Sequence, residues 1–337
     1  MQRHQAQRVT LRDIAKATGY SVNTVSKALR DMPDLAEQTK EHIRTVAGDM
    51  GYVANNAASG LRSGRSNVLA LIISDISNPF FGILCKEVEQ QAANFNYTVV
   101  VFNTEEDALR EEYAIRTALS QNVDGILLTP SQHDTKGIAL LQELGKPCVL
   151  IGRYFSDMEA DAVLFDDENG GYLAGKHLID RGYRNILMLN APHNSSARDR
   201  ERGFVQAMRS APETQYRIVT LESALGGVAD VLEAEYAKKK FDAVFAYSDL
   251  LAMEVASVLK HKKTDGRAIG LVGFDDIQSR LVLPFDLTSV SVGKAAFGEA
   301  LATLLMKRIS GDFENYPMRI VLPTKLVARS STEKIAP

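Results

Sequence analysis

Three aspartates, Asp75, Asp249 and Asp275, stand at or just past the ends of apolar runs, in "VLALIISD", "AVFAYSD" and "IGLVGFD". Carboxylates placed there accept hydrogen bonds from the hydroxyl groups of a bound small molecule. Phe80 and Phe81, in "SNPFF" soon after Asp75, add aromatic faces that stack on the C–H face of a sugar or on a nucleobase. One of the two is expected to line a site and the other to serve the core. Asn194, Ser196, Arg198 and Arg200 follow the run "NILMLN" and bring amide, hydroxyl and guanidinium donors that suit hydroxyls or a carboxylate. Arg198, like Arg202, also reads as part of a solvated charge run. Asp276, beside Asp275, reads as the cap of a following helix.

A different chemistry is written near the N-terminus, in "VTLRDIAKATGYSVNTVSKALRD". Val22, Asn23, Ser26, Lys27 and Arg30 fall on one side of a helical pattern and combine an apolar tip, an amide, a hydroxyl and two cations. Such a face fits the edge of a nucleic-acid groove, with Val22, Asn23 and Lys27 reading base edges and Thr10, Ser21 and Ser26 positioning phosphates. Val25, Ala28 and Leu29 make the other side apolar. Thr10 with Asp13 opens the first helix, Gly19 stops it and Ser21 opens the second, so two short helices meet across a tight turn. That is the helix-turn-helix pattern, which an ordinary helical hairpin with a solvated face also shares.

Further elements must carry these residues. A third helix is expected in "EQTKEHIRTVAGDMGY", where Ile43, Val46, Ala47 and Met50 repeat at helical spacing and Gly51 ends the run. "VANNAASGLRSGRSN" then reads as a linker, and Leu61 is its only large aliphatic residue between Val53 and Val68. A short helix through Ala57, Ala58 and Leu61 is opposed by Gly60. From Asn67 the pattern changes: the apolar runs "VLALIIS", "TVVVFN", "GILLTP", "PCVLIG", "AVLFD", "NILMLN", "YRIVTL", "AVFAYS" and "IGLVGF" alternate with helical stretches. Continuous rather than alternating hydrophobicity predicts strands buried on both faces, as in parallel sheets. So many strands exceed one small sheet. Two doubly wound parallel-sheet subdomains side by side are therefore expected, with a ligand crevice at the strand C-terminal ends.

Composition narrows the function classes. Of 337 residues, 45% are hydrophobic and 24% charged, which is ordinary for a globular protein with a large core. There is no apolar run of about 18 residues, and the opening "MQRHQAQRVT" lacks the apolar segment of a signal peptide, so no membrane association and a cytoplasmic location are expected. Cys85 and Cys148 lie in apolar contexts without CxxC spacing and read as buried structural thiols. No metal or other cofactor is implied. Charge is uneven: residues 1–66 hold 10 Lys+Arg against 6 Asp+Glu, a net +4, and the remainder nets −7, together the −3 of the chain. A small basic head on an acidic body fits a local phosphate-contacting surface rather than indiscriminate nucleic-acid binding. Catalytic patterns are missing: "LAGKHL" is not a phosphate-binding GxxxxGK[ST], and GxSxG, HExxH and GxGxxG do not occur.

Taken in order, "VTLRDIAKATGYSVNTVSKAL", "GLRSGRSNVLALIISDISNPFF", "FDDENGGYLAGKHLIDRGYRNILML", "YSDLLAMEVASVL" and "VGFDDI" make the whole chain resemble the lac-repressor (LacI/GalR) family of transcriptional regulators. The resemblance implies a helix-turn-helix headpiece over residues 1–54, a hinge over 55–66 and a periplasmic-binding-protein-like effector and dimerisation domain over 67–337. Within that domain it places an N-subdomain at about 67–163 and 293–321 and a C-subdomain at about 164–292 and 322–337. It implies a homodimer that grips double-stranded, near-palindromic operator DNA, and a small effector, a sugar or sugar derivative, in the crevice. A nucleobase and an acidic or phosphorylated sugar stay open. The implied DNA contacts are Thr10, Leu11, Ser21, Val22, Asn23, Thr24, Ser26, Lys27 and Arg30, with Ala58, Leu61 and Arg62 from the hinge, Leu61 as a minor-groove wedge. For the effector the implied residues are Asp75, Phe80, Phe81, Asn194, Ser196, Arg200, Asp249 and Asp275, with Phe80 and Arg200 carried over by family analogy. The chain departs from the family at Ala54, where proline is common, at Ser59, where a basic residue precedes the hinge leucine, and at Lys27, where arginine is usual. Two other readings of the same residues are a periplasmic solute-binding protein and a sugar-metabolising α/β enzyme.

Overall fold

The computed structural model describes residues 9–53, 64–192, 194–221, 227–260, 263–264 and 267–333. The chain divides into two units, residues 1–66 and 67–337.

In the first unit, α1 (Leu11–Thr18), α2 (Val22–Leu29) and α3 (Glu37–Asp49) form as the sequence predicts. The Asp13 carboxylate accepts from the Thr10 N–H at 2.8 Å and from its hydroxyl at 2.7 Å, fixing the entry to α1. Gly19 leaves the helix at φ 73°, a left-handed conformation that only glycine adopts without strain. Two residues later the Ser21 hydroxyl accepts the Thr24 N–H at 3.1 Å and starts α2. The apolar faces meet in a small core of Ile14, Ala15, Val25, Ala28, Ile43 and Ala47, with Leu29, Leu35 and Met50 packed around it. Ala58, Leu61 and Arg62, and the linker helix considered for them, lie outside the described residues.

The second unit holds two six-stranded sheets. Strands β1 (Val68–Ile73), β2 (Thr98–Asn103), β3 (Gly125–Leu128), β4 (Cys148–Ile151) and β5 (Ala162–Phe165) belong to the first. β6 (Asn185–Asn190), β7 (Gln215–Thr220), β8 (Ala243–Ala246), β11 (Gly270–Asp275) and β12 (Thr288–Val292) belong to the second, while β9 (Lys263–Thr264) and β10 (Arg267–Ala268) form a short separate pair. β13 (Arg319–Leu322) completes the first sheet in the order β13-β5-β4-β3-β1-β2, all parallel. β14 (Thr324–Val327) completes the second in the order β14-β12-β11-β8-β6-β7, parallel except where β14 runs against β12. The intervening helices are α4 (Pro79–Asn94), α5 (Ala108–Ser120), α6 (Lys136–Glu143), α7 (Asp167–Asp180), α8 (Ser195–Arg209), α9 (Val228–Lys238), α10 (Asp249–Leu259) and α11 (Lys294–Ile309).

All nine apolar runs become strands, but not all are buried on both faces. β2 and β7 are sheet edges, and Val100 and Val101 on β2 each stay 42% exposed. The chain crosses between sheets three times: after β5 through Asp166, after β12 through Gly293, and after β13 through Pro323. The boundaries drawn at 163/164 and 321/322 are therefore displaced, because they cut β5 and β13, whose backbone hydrogen bonds hold each strand whole in the first sheet. The crossings are tied to one another: the Asp166 N–H donates to the Leu322 carbonyl at 2.9 Å, and the Thr324 hydroxyl donates to the Asp166 carbonyl at 3.0 Å.

Candidate functional site

A cavity of about 750 Å³ opens between the two sheets of the second unit. Its lining comes from strand C-terminal ends, as expected for open α/β sheets: Asp75 after β1, Thr129 after β3, Arg153 after β4 and Phe165 in β5 on one side, with Asn194 after β6, Tyr247 after β8 and Asp275 at the end of β11 on the other.

An aromatic wall forms the first side. The Asn78 side chain accepts the Phe80 N–H at 3.0 Å and caps α4, and Pro79 sets its first turn, so Phe80 and Phe81 emerge together at the cavity. Their rings meet edge-to-face at 5.2 Å. Phe80 continues to Phe165 at 6.2 Å, and Phe165 to Phe297 at 4.1 Å. Both Phe80 and Phe81 line the cavity and both belong to the core, so the expected division of labour between them is not found. Asp75 also lines it, while one of its oxygens accepts from the Ser77 N–H and hydroxyl at 2.8 and 2.7 Å.

Two arginines face the cavity, one from each side. Arg200 is 5% exposed; its Nε donates to Asp167 at 2.8 Å, its Nη1 donates to the Tyr247 carbonyl at 2.6 Å, and its guanidinium lies 3.5 Å from the Phe274 ring centre. This placement depends on two glycines. A Cβ on Gly171 of α7 would come 1.9 Å from the Arg200 carbonyl oxygen, and one on Gly203 of α8 would come 1.8 Å from that of Glu168. The "ENGG" motif thus lets the two helix backbones touch. Burial pushes the Asp167 carboxyl up to about 6, against the pull of the neighbouring guanidinium. Arg153 was not singled out from sequence, yet it is the second anchor: its Nη1 and Nη2 donate to the two Glu106 oxygens at 2.7 and 2.6 Å, and Nη1 donates also to the Pro130 carbonyl at 2.8 Å. Burial works to lower its pKa, but Glu106 and the Tyr247 hydroxyl outweigh that and keep it charged.

Not every buried polar group of the lining has a partner. The Thr129 hydroxyl is buried without a hydrogen-bond partner, and the Asp275 carboxylate has no hydrogen-bonded partner among the described residues. Asp275 is 5% exposed, at φ 104°, and burial pushes it up to about 7, with Arg200 and Lys294 opposing. Asn194 and Ser196 line the cavity but are committed locally: Asn194 Oδ1 accepts from the Ala197 N–H at 2.8 Å and from the Ser196 hydroxyl at 2.7 Å, capping α8. Asp249 does not line it. Its carboxylate turns away, accepting from the Ser289 hydroxyl at 2.6 Å and the Ile277 N–H at 2.8 Å, and so fastens the strand ends beneath the site. Asp276 caps nothing with its side chain, which accepts from Arg329 at 2.6 Å instead. Arg198 is exposed, and Arg202 pairs with Glu168 and Asp199 at the surface.

The two sides are bridged across the cleft. Gln132, after β3, accepts the Ser195 N–H at 2.6 Å and donates to the Tyr154 carbonyl at 2.5 Å. The Ser195 hydroxyl accepts the Tyr154 N–H at 3.0 Å, and the Tyr154 hydroxyl donates to Asp199 at 3.2 Å. Two loops of the first side thereby grip the first turn of α8. Thr129, Gln132, Arg153, Phe165 and Tyr247 were all missed from sequence, although the rule that selected Asp75 and Asp275, a position at or just past the end of a buried strand, points to Thr129, Arg153, Phe165 and Tyr247.

In the first unit, Val22 is 42% exposed, Asn23 and Arg30 are exposed, and Ser26 and Lys27 half-buried. Thr24 shares a hydrogen bond with Ser21 at 2.8 Å, Arg30 Nε donates to the Ser26 carbonyl at 3.1 Å, and Lys27 forms an ion pair with Asp34. Thr10 keeps its exposed place at the start of α1, whereas Leu11 packs against the three-helix core. Among the described residues no helix is long and apolar enough to cross a membrane, and no group of three or more His, Cys, Asp or Glu is placed to hold a metal ion.

Comparison with known proteins matches residues 10–55 to a family described as bacterial regulatory proteins, lacI family, and residues 66–330 to periplasmic binding proteins and sugar binding domain of LacI family. The ribose operon repressor of Halalkalibacterium halodurans is 30% identical over 332 residues, covering 96% of this chain and 97% of that one. A LacI family transcriptional regulator from Enterococcus faecium with bound ribose is 25% identical, with a TM-score of 0.69 over 80% of this chain and 100% of that one. The lac repressor dimer bound to operator and the anti-inducer ONPF shares the fold, with a TM-score of 0.82 at 19% identity, covering 97% of this chain and 100% of that one.

Proposed function

The chain belongs to the LacI family of bacterial regulatory proteins, and we propose that it is a repressor whose effector is an uncharged, polyhydroxylated sugar that releases it from operator DNA. The observation that carries the effector class is the charge matching of the cavity. Each guanidinium already has a carboxylate, Glu106 for Arg153 and Asp167 for Arg200, while the Asp275 carboxyl has no hydrogen-bonded partner among the described residues. A phosphate or sugar acid would meet no unpaired guanidinium and would face Asp75 and Asp275, which form no ion pair among the described residues. A neutral polyol meets the Asp275 carboxyl and aromatic faces for its C–H groups.

The reading extends to assembly. Leu109 and Tyr113, one turn apart on α5, are 77% and 74% exposed, and Val100 and Val101 stand on the neighbouring edge strand. Apolar surface of this kind supports a homodimer, which would present two headpieces to a near-palindromic site, with Ala58, Leu61 and Arg62 completing the contacts. A DNA-directed role supports a cytoplasmic location and no catalytic activity. A thermal-shift screen of the full chain tests the effector class: a pentose or hexose at 100 times its dissociation constant adds ~2.7 kcal/mol of stability. Stabilisation by sugar phosphates, sugar acids or purines, with none by neutral sugars, would overturn it. Anisotropy on a bound operator tests the direction, since effector-tightened binding contradicts release.

A further inference from the structure

Lys27 is the only charged residue in α2, and its ammonium is already engaged. It pairs with Asp34, seven residues on and in the loop leading to α3; the two side chains are 35% and 52% exposed. The pair sits beside the exposed residues Val22 and Asn23 of the same helix. Asp31 repeats the arrangement nearby, accepting from Lys40 at 3.1 Å and also from Arg44, both of which approach Glu37 too. Lys27, Lys40 and Arg44 are thus neutralised from within the protein, while Arg30, at the head of the loop, donates to the Ser26 carbonyl.

We propose that Asp34 is a specificity-determining residue: it occupies Lys27 against DNA phosphates and leaves it free to read a base. This rests on the DNA-binding reading of α2. Binding to arbitrary DNA comes from lysines and arginines that neutralise phosphates and release counterions. A lysine held by a carboxylate releases less, and the carboxylate itself repels the backbone. Base reading asks for less. An ammonium has three donors, so Lys27 can keep Asp34 on one N–H and give another to the O6 or N7 acceptor of a guanine. The pair also holds a four-carbon side chain in place and reduces the freedom lost on binding. Asp34 therefore weakens random-sequence binding more than binding at the proper site. The Lys27 hydrogen bond holds the Asp34 carboxyl below its ordinary pKa, so the pair persists at neutral pH.

The test uses the full-length protein, a site enriched by it from randomised duplexes, and a random-sequence duplex of equal length, with anisotropy between 50 and 200 mM KCl. Asp34→Asn should tighten random-sequence binding about two- to five-fold, the range of an exposed ion pair. It should steepen the slope of log affinity against log salt there by about 0.9, one added phosphate. The enriched site should gain less, so the specificity ratio falls. In a Lys27→Met background the same substitution should leave the ratio unchanged. An equal gain on both duplexes, no gain on random DNA, or a fall in the ratio that survives in the Lys27→Met background overturns the proposal. Failure of the wild type to enrich any site would instead strike down the DNA-binding reading, and this inference with it.

Discussion

Replacing Gln132 by alanine should shift the cleft towards an open form and weaken the effector in proportion. Gln132 makes one of the hydrogen bonds that span the cleft, accepting the Ser195 N–H, and is braced on its own side by donating to the Tyr154 carbonyl. Ser195 is fully buried, and its N–H is one of the first-turn donors of α8 that no helical carbonyl can satisfy. Leaving such a donor unpaired costs about 1–3 kcal/mol, and water admitted from the adjoining cavity brings the cost to the lower half of that range. At about 1–2 kcal/mol the open-to-closed ratio rises roughly five- to thirty-fold. If the effector binds the closed form, its apparent dissociation constant rises by the inverse of the remaining closed fraction, so by no more than that factor. Gln132→Glu keeps the acceptor for Ser195 and loses the donor to Tyr154, and should fall between wild type and alanine. Calorimetric titration of the effector, with the radius of gyration of the free protein from X-ray scattering, measures both quantities. A lowered melting temperature with unchanged affinity and unchanged radius would show that the bridge only stabilises the fold, and would refute its part in closure.

Asp275→Asn replaces the carboxyl while tolerating the positive φ at that position; measured above pH 8, where the group is ionised, losing a charged hydrogen bond should weaken the effector about 10- to 150-fold, with effector-free operator affinity unchanged, and release at the wild-type effector concentration would exclude Asp275 from the site. Asn23→Ala should cost ~1–3 kcal/mol at the selected DNA site and little on random DNA if the amide makes a bidentate base contact; equal weakening on both would assign it to phosphate positioning. Burial raises Asp249 to about 8 and Asp275 to about 7, so the native state holds protons that the unfolded chain has released. Stability gained below the unfolded carboxylate pKa is then lost as pH rises through these values, by up to ~1.4 kcal/mol per pH unit for each proton. The clean window is pH 6.5 to 8.5, above the range in which His177, lowered to about 4 by burial, acts in the opposite sense. Denaturant titrations at several pH values should show stability falling across it, and a flat or rising profile would contradict the buried-carboxyl account.

Strands that are buried on both faces announce themselves, and β1, β3, β4, β5, β6, β8 and β11 were legible as unbroken apolar runs. The strands that were missed carry no such run. β12 reads Thr-Ser-Val-Ser-Val, its hydroxyls serving buried bonds such as Ser289 to Asp249, and β13 alternates between exposed and half-buried positions. β2 was legible as a strand and misjudged in burial, because an exposed apolar edge spells the same letters as an interior one. The cavity shows a similar divide. Asp75 and Asp275 line it because they stand at strand ends and Phe81 because its motif follows one, while Phe80 and Arg200 were carried over by family analogy. Asp249 follows a strand as they do, but whether a carboxylate faces the cavity or the core is set by partners far away in sequence, here Ile277 and Ser289. Arg153 and Glu106 lie 47 residues apart, and Asp34 and Lys27 lie on different elements. Ion pairs of this kind follow from tertiary geometry, which spacing does not encode.

That geometry also limits how an effector signal can travel. The backbone passes between the two sheets at Asp166, Gly293 and Pro323, and the first and third crossings are hydrogen-bonded to each other through Leu322 and Thr324. Three short links side by side resist stretching and shear but allow rotation, so the mobile coordinate is the angle of the cleft. The contacts that can hold this angle are Gln132 and Tyr154 on Ser195 and Asp199, and, near the Gly293 link, Arg280 on Glu87 at 3.0 Å. On the proposed reading, an effector held between Phe80 on one side and Arg200 and Asp275 on the other would add to the same balance. It shifts the angle only by its preference for one setting over the other. By linkage, whatever factor it applies to operator affinity the operator applies to effector affinity. Variants in the bridging residues should therefore change effector and operator binding in concert without touching either ligand, whereas Asp34, whose pair lies wholly within the headpiece, should change DNA discrimination and leave effector affinity alone.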